Sequence, residues 1–247
     1  VKKLFGILTI VALMAVVFAG CTDDATPNDN GNGGETPAGL VDGTWVGNAT
    51  MNPENTRYSF GTVALEVVDG EIVSVDYKEI QGPFAEAKGE DYSYEAFFTA
   101  VDELSQKLVE TQSVDGLDAV AGATSTSGYF VEAVTNALES ANAGQQLYNN
   151  GTYAGVTEAD SRGVRGVGYV TFANGSVSHV LYEERDSEGA PKGEDYSYEL
   201  YHEAVASLQS QLMDTSSLSD VDTVAGATST SNNFVEVFAP YFSLSGN

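Results

Sequence analysis

One cysteine, Cys21, and two histidines, His179 and His202, are all that the 247 residues offer for thiol or imidazole chemistry. A lone cysteine builds no disulfide framework, iron–sulfur cluster or haem-attachment motif. The histidines lie in unrelated contexts without HExxH-type spacing, so no metal site is expected. Basic residues are scarce too: 10 Lys and Arg against 36 Asp and Glu give a formal charge of −26. So acidic a surface repels nucleic acid and anionic lipid, which excludes a nucleic-acid partner. The glycine-rich stretch Gly163–Gly168 lacks the GxGxxG order of a dinucleotide loop. Only one long apolar run exists, Leu4 to Phe18, and it is shorter than a comfortable bilayer span.

That run follows Lys2 and Lys3 and ends in Ala19-Gly20-Cys21. A basic start, a short apolar centre and small residues at the junction form a secretory signal, expected over residues 1–20. Val17-Phe18-Ala19-Gly20-Cys21 resembles a bacterial lipobox, which implies lipidation of Cys21 and anchoring to the extracytoplasmic face of the cell membrane. Residues 21–41 are rich in Thr, Asp, Asn, Gly and Pro. With no apolar face to offset ordering entropy, they form an expected polar tether with a reach of roughly 25 Å.

What the chain has in abundance is repetition. Asp118–Ser127 (DAVAGATSTS) and Asp222–Ser231 (DTVAGATSTS) differ only where Ala119 corresponds to Thr223. KGEDYSYE occurs at Lys88–Glu95 and again at Lys192–Glu199, an offset of 104 (192 − 88). Asp42-Gly43-Thr44-Trp45 answers to Asn150-Gly151-Thr152-Tyr153. A period near one hundred residues is too long for a solenoid unit and suits two complete small domains, expected at 42–144 and 145–247.

Each copy reads as strands followed by helices. Thr62–Val67 and Ile72–Ile80 flank Asp69-Gly70, while Val167–Ala173 and Val177–Tyr182 flank Asn174-Gly175; both pairs are hairpin signals. Phe97, Val101, Leu104 and Leu108 line one helical face, matched by Tyr201, Val205, Leu208 and Leu212. Asp91 or Ser93, and Asp195 or Ser197, are the expected caps of these helices. A last helix follows each GATSTS. Its buried stripe is expected at Phe130, Val134, Ala137 and Ala141, then at Phe234, Val235 and Phe238, with Pro240 interrupting the second. The absence of βαβ alternation predicts an α+β fold, two tandem similar domains each with a small antiparallel sheet and packed helices.

The repeated hydroxyls stand at the approach to a helix, where unpaired N–H groups and the dipole favour an anion. Gly122 and Gly226 allow close backbone approach, and Ala123 and Ala227 add little bulk. Ser and Thr are also the commonest helix caps. One cap needs one hydroxyl, whereas each copy carries four in a row: Thr124, Ser125, Thr126 and Ser127, then Thr228, Ser229, Thr230 and Ser231.

The motif D-x-x-x-G-A-T-x-T-S resembles the signature of bacterial FMN-binding domains, including subunits of ion-pumping redox complexes and tandem-domain extracellular electron-transfer lipoproteins. That resemblance implies two FMN groups, each joined through its phosphate by a flavin transferase to the threonine after Gly-Ala, here Thr124 and Thr228. Gly122, Ala123, Ser125 and Thr126, with Gly226, Ala227, Ser229 and Thr230, would surround the attachment points. Asp118 and Asp222 would cap the loop or mark the site for the transferase. The family usually has Ser or Thr before the glycine, where this chain has Ala121 and Ala225. Tyr92 and Tyr196 are candidates to stack on a flavin ring, while Tyr94 and Tyr198 are expected in the core. Lys88 and Lys192 could neutralise a phosphate, but weak exposed ion pairs are the expectation for lysines on so acidic a surface. The implied role is an electron carrier between a membrane quinol-linked dehydrogenase and an extracellular acceptor such as ferric iron. No protein nucleophile or acid–base pair is required for it. The other readings are an extracellular binding or adhesive module for a phosphorylated ligand, and a subunit of an ion-pumping redox complex.

Overall fold

Both residues of each hairpin turn have positive φ, 54° at Asp69 and 78° at Gly70, then 52° at Asn174 and 78° at Gly175. Two consecutive left-handed residues match the natural twist of paired strands, which is why Asp-Gly and Asn-Gly occupy these turns. The structure, a computed structural model, describes residues 39–54 and 57–242. The expected signal, Cys21 and the tether as far as residue 38 lie outside the described residues.

The first copy comprises β1 (Gly43–Asn48), β2 (Phe60–Val68), β3 (Glu71–Gln81), β4 (Glu86–Ala87), α1 (Glu95–Thr111) and α2 (Thr124–Ala143). The second repeats it with β5 (Gly151–Val156), β6 (Arg165–Ala173), β7 (Ser176–Arg185), α3 (Glu199–Thr215) and α4 (Thr228–Phe242), plus a short turn of 3-10 helix at Leu218–Asp220. The sheets are antiparallel, ordered β1-β2-β3-β4 and β5-β6-β7. The fold class is therefore α+β, two sheet-and-helix units. Even an irregularity is duplicated: the strand register shifts at Glu66/Val67 and again at Thr171/Phe172.

In each copy the helices cover one face of the sheet. Val63, Leu65, Ile72 and Tyr77 pack against Phe97, Leu104, Leu108, Phe130 and Val134. Val170, Phe172, Val180 and Tyr182 pack against Leu208, Leu212, Phe234 and Phe238. Gly47 and Gly155 let the edge strands lie flush on α2 and α4, because a Cβ at either would collide with helix backbone at Ala133 and Ala137 or at Val237. The other sheet faces meet through Met51, Phe60, Val167 and Tyr169. The Tyr58 and Tyr169 rings stack at 5.4 Å, the Tyr169 hydroxyl donates to the Gly82 carbonyl at 3.2 Å, and Asn48 Nδ2 donates to the Thr152 carbonyl at 2.8 Å.

Several sequence expectations are corrected by three-dimensional packing. Tyr94 and Tyr198, not Asp91, Ser93, Asp195 or Ser197, are the N-cap residues of α1 and α3, with no side-chain cap bond. The segment before each helix is a turn instead, closed by Tyr92 N–H on the Gly89 carbonyl and Tyr196 N–H on that of Gly193. Ala100 and Ala204 are fully buried on α1 and α3, with Val101 and Val205 only partly so. On α4, Val237 is buried and Val235 is 39% exposed, since a residue next to Phe234 is turned about 100° away. Pro240 lies inside α4, which continues to Phe242. So near the helix end its missing N–H forfeits one bond, while Tyr241 and Phe242 still pack on the second core. At the other end, Leu40 packs on the first core and Val41 N–H donates to the Ala141 carbonyl at 3.0 Å, so the last residues of the expected tether are held.

Candidate functional site

Burial divides the four repeated hydroxyls into two pairs. Thr126 and Ser127 are buried, at 6% and 3% exposure, as are Thr230 and Ser231 at 5% and 2%. They are the first members of the buried stripes that continue to Phe130, Ala133 and Val134 on α2, and to Phe234, Val237 and Phe238 on α4. Ser127 Oγ accepts the Val120 N–H at 3.0 Å and donates to the Ala123 carbonyl at 3.0 Å. Ser231 makes the same pair of bonds, both at 3.1 Å, with Val224 and Ala227. These serines close the loop; they are not open to a ligand.

Thr124, Ser125, Thr228 and Ser229 are exposed. Thr124 and Thr228 are the first residues of α2 and α4. The N-cap of α2 is Ala123, which offers no side-chain acceptor to the first-turn N–H groups. Neither helix has an acidic residue in its first turn, although α1 and α3 begin with Glu95 and Glu199. In a chain this acidic, both threonine termini are thus left able to face an anion. Gly122 and Gly226, with φ of 80° and 83°, turn the chain into them, and Ala123 and Ala227 are buried beneath. A phosphate attached to Thr124 or Thr228 fits this donor set.

Asp118 does not cap the loop. Its side chain is 96% exposed and its nearest cation, Lys107 Nζ, is 3.9 Å away. Asp222 is exposed as well, and its backbone N–H donates to Gln211 Oε1 at 2.7 Å. Loop closure, one of the two roles open to the aspartates, falls instead to Ser127 and Ser231.

The KGEDYSYE segments are also rearranged relative to expectation. Lys88 and Lys192 are not surface ion-pair residues: Lys88 binds Glu79 with side chains 9% and 4% exposed, and Lys192 binds Glu184 at 17% and 3%. Each ammonium lies against two rings, Tyr92 and Phe97 at 4.3 and 4.7 Å, and Tyr196 and Tyr201 at 4.8 and 4.9 Å. Both lysines are therefore committed to carboxylates. The other carboxylate oxygen takes a long hydrogen bond from a tyrosine, Tyr77 to Glu79 at 3.4 Å and Tyr182 to Glu184 at 3.5 Å. Burial, then the carboxylate charge, pushes both phenols well above the usual tyrosine range. Tyr92 and Tyr196 are only partly buried, but their rings pack edge-on against Phe97 and Tyr201.

Tyr94 and Tyr198, assigned to the core from helical spacing, are 50% and 46% exposed. The Tyr94 hydroxyl donates to the Gly122 carbonyl at 2.5 Å, and that of Tyr198 to the Gly226 carbonyl at 2.8 Å. Each tyrosine precedes the first turn of its helix, so it escapes the helical stripe and reaches the threonine loop. Their identical 28-residue separation from the two glycines was the available sequence signal.

Residues 59–139 match the family model of the FMN-binding domain. The match spans β2 to α2, including the Thr124 loop, and supports an FMN-binding domain there and a flavin-binding role. A crystal structure of the CPE2226 protein from Clostridium perfringens is similar at 25% identity, covering 37% of this chain and 83% of that one, with a TM-score of 0.33. No curated protein matches the chain.

Proposed function

We propose that the chain is an extracytoplasmic electron carrier with one FMN on each copy, esterified through phosphate to Thr124 and Thr228. The observation that carries this reading is the exposed threonine opening an acid-free helix terminus, present twice, in a fold whose first copy matches the FMN-binding domain. FMN held there supplies one- and two-electron redox chemistry through its ring.

In this reading the threonine Oγ1 bonds to phosphorus as the pyrophosphate bond of a flavin dinucleotide donor breaks. AMP leaves, and the hydroxyl proton passes to a base of a flavin transferase. The first-turn N–H groups and dipoles of α2 and α4 would hold the remaining phosphodiester charge. A covalent link suits an exported carrier, because a dissociable group would be lost by dilution. Lipidation at Cys21 would keep the protein at the membrane, where a quinol-linked dehydrogenase donates electrons and an extracellular oxidant such as ferric iron accepts them.

Intact mass of the mature native protein and its flavin fluorescence on a denaturing gel test the reading. Two flavins are expected, one lost in Thr124→Ala, one in Thr228→Ala and both in the double variant. A dark band with no mass beyond acyl chains overturns covalent attachment; a flavin lost only on denaturation indicates noncovalent binding. A flavin that survives the double variant moves the acceptor to Ser125 or Ser229, since the adjoining Thr126 and Thr230 are buried.

A further inference from the structure

Tyr94 and Tyr198 combine two properties that a packing residue does not share. Each hydroxyl reaches the carbonyl two residues before the threonine, while about half of each side chain stays in water. A tyrosine serving only to pin α1 to the loop would gain most by burying its ring as well. Their main chains are already engaged in starting the helices, the Tyr94 and Tyr198 carbonyls accepting from Phe97 and Tyr201 N–H at 3.0 Å each. The phenols are therefore a separate tie between the start of α1 or α3 and the threonine loop.

The tie acts at a peptide whose orientation matters. Gly122 and Gly226 have left-handed φ, and the buried Ala123 or Ala227 follows. Holding the glycine carbonyl fixes that turn and so the direction in which Thr124 or Thr228 leaves it. A Cβ added to Gly122 would lie 3.5 Å from the Tyr94 hydroxyl and 3.6 Å from Ala96 Cβ; one added to Gly226 would lie 3.0 Å from Leu200 Cδ1 and 3.9 Å from the Tyr198 hydroxyl. The tyrosine thus forms one wall of the threonine loop in both copies.

We infer that Tyr94 and Tyr198 are positioning residues for the two acceptor threonines, and that their half-exposed side chains provide cover for the flavin attached there. This rests on the flavin-attachment reading above. The phenol holds the loop in the geometry that the transferase modifies, and the ring then contacts the isoalloxazine. The partly buried Tyr92 and Tyr196 have their rings packed against neighbouring aromatics and lysines, which leaves the stacking role to Tyr94 and Tyr198.

The test uses the full chain with Thr228→Ala, so that only the first site takes flavin, and compares Tyr94 with Tyr94→Phe and Tyr94→Ala. Co-production with a flavin transferase is followed by intact mass over time and by emission yield of the attached flavin. Tyr94→Phe keeps a ring but loses the tie, and its modification should slow about three- to tenfold, the scale of one lost hydrogen bond. A tyrosine ring in contact with a flavin quenches its emission and phenylalanine does not, so both variants should be brighter than the parent. A change in fold stability alone would not brighten the flavin. Tyr94→Phe modified at the parent rate, or emission unchanged in it, overturns the inference while leaving flavin attachment intact. Absence of flavin from the parent itself overturns the attachment reading instead. Tyr198→Phe in a Thr124→Ala chain repeats the comparison at the second site.

Discussion

Ser127 Oγ accepts the backbone N–H of Val120 at 3.0 Å, seven residues upstream, and returns a bond to the Ala123 carbonyl. One buried hydroxyl thereby satisfies two backbone groups of the loop that carries Thr124. Ser127→Ala should cost about 1–3 kcal/mol, because the Val120 N–H is left without its acceptor. Ser231→Ala should behave alike through Val224. Urea unfolding of each variant measures the loss, and a change within error of zero would refute the loop-closing role.

The Lys88–Glu79 pair is buried between sheet and loop, and the Lys192–Glu184 pair nearly so. Glu79→Gln or Lys88→Met alone leaves a poorly compensated group inside and should destabilise by about 3–5 kcal/mol. Replacing both partners by apolar residues, Glu79→Leu with Lys88→Met, should recover most of that loss. A double-mutant cycle by chemical denaturation checks the pattern, and additive single losses would contradict it.

Gly47 and Gly128 make opposite predictions for the same substitution. Gly47→Ala drives a methyl group into the backbone of α2 and should cost about 1–3 kcal/mol or more. Gly128 is an exposed α2 residue with nothing within 4 Å of an added Cβ, so Gly128→Ala should stabilise by about 0.5–1 kcal/mol. Thermal melting of the two variants reads both signs.

Tyr77, Tyr153, Tyr169 and Tyr182 all have phenol pKa values raised, in each case first by burial. Their folded-state pKa lies above the unfolded value of about 10, so the folded state holds the proton more tightly. The stability they contribute is complete below about pH 10 and falls as pH rises beyond it. Phenolate absorbance from these four should therefore appear together with loss of tertiary structure in an alkaline titration, and ionisation inside an intact fold would contradict their burial.

The hairpins and the helical stripe from Phe130 to Ala141 were legible because each depends on near neighbours in the chain. Asp-Gly and Asn-Gly choose their turn through local φ preferences, and a 3.6-residue period needs no partner to be recognised. Running the stripe backwards from Phe130 would also have reached Ser127 and Thr126, and so marked them as buried. Tyr94 has the spacing of the α1 stripe but lies just before the helix starts, where that period no longer sets its direction. The burial of Lys88 is not legible in its own segment, because its partner Glu79 comes from β3 and only pairing of strand and loop brings them together.

The amino-acid order alone determined the duplication, the α+β pattern of each copy and the GATSTS loop leading into a helix, all governed by short-range stereochemistry and repeated wording. Tertiary structure decided which hydroxyls face water, which tyrosines hold the threonine loop and which charges are buried. Those outcomes depend on what lies across a packed interface, and contacts between distant segments form only when the sheet and helices close on one another.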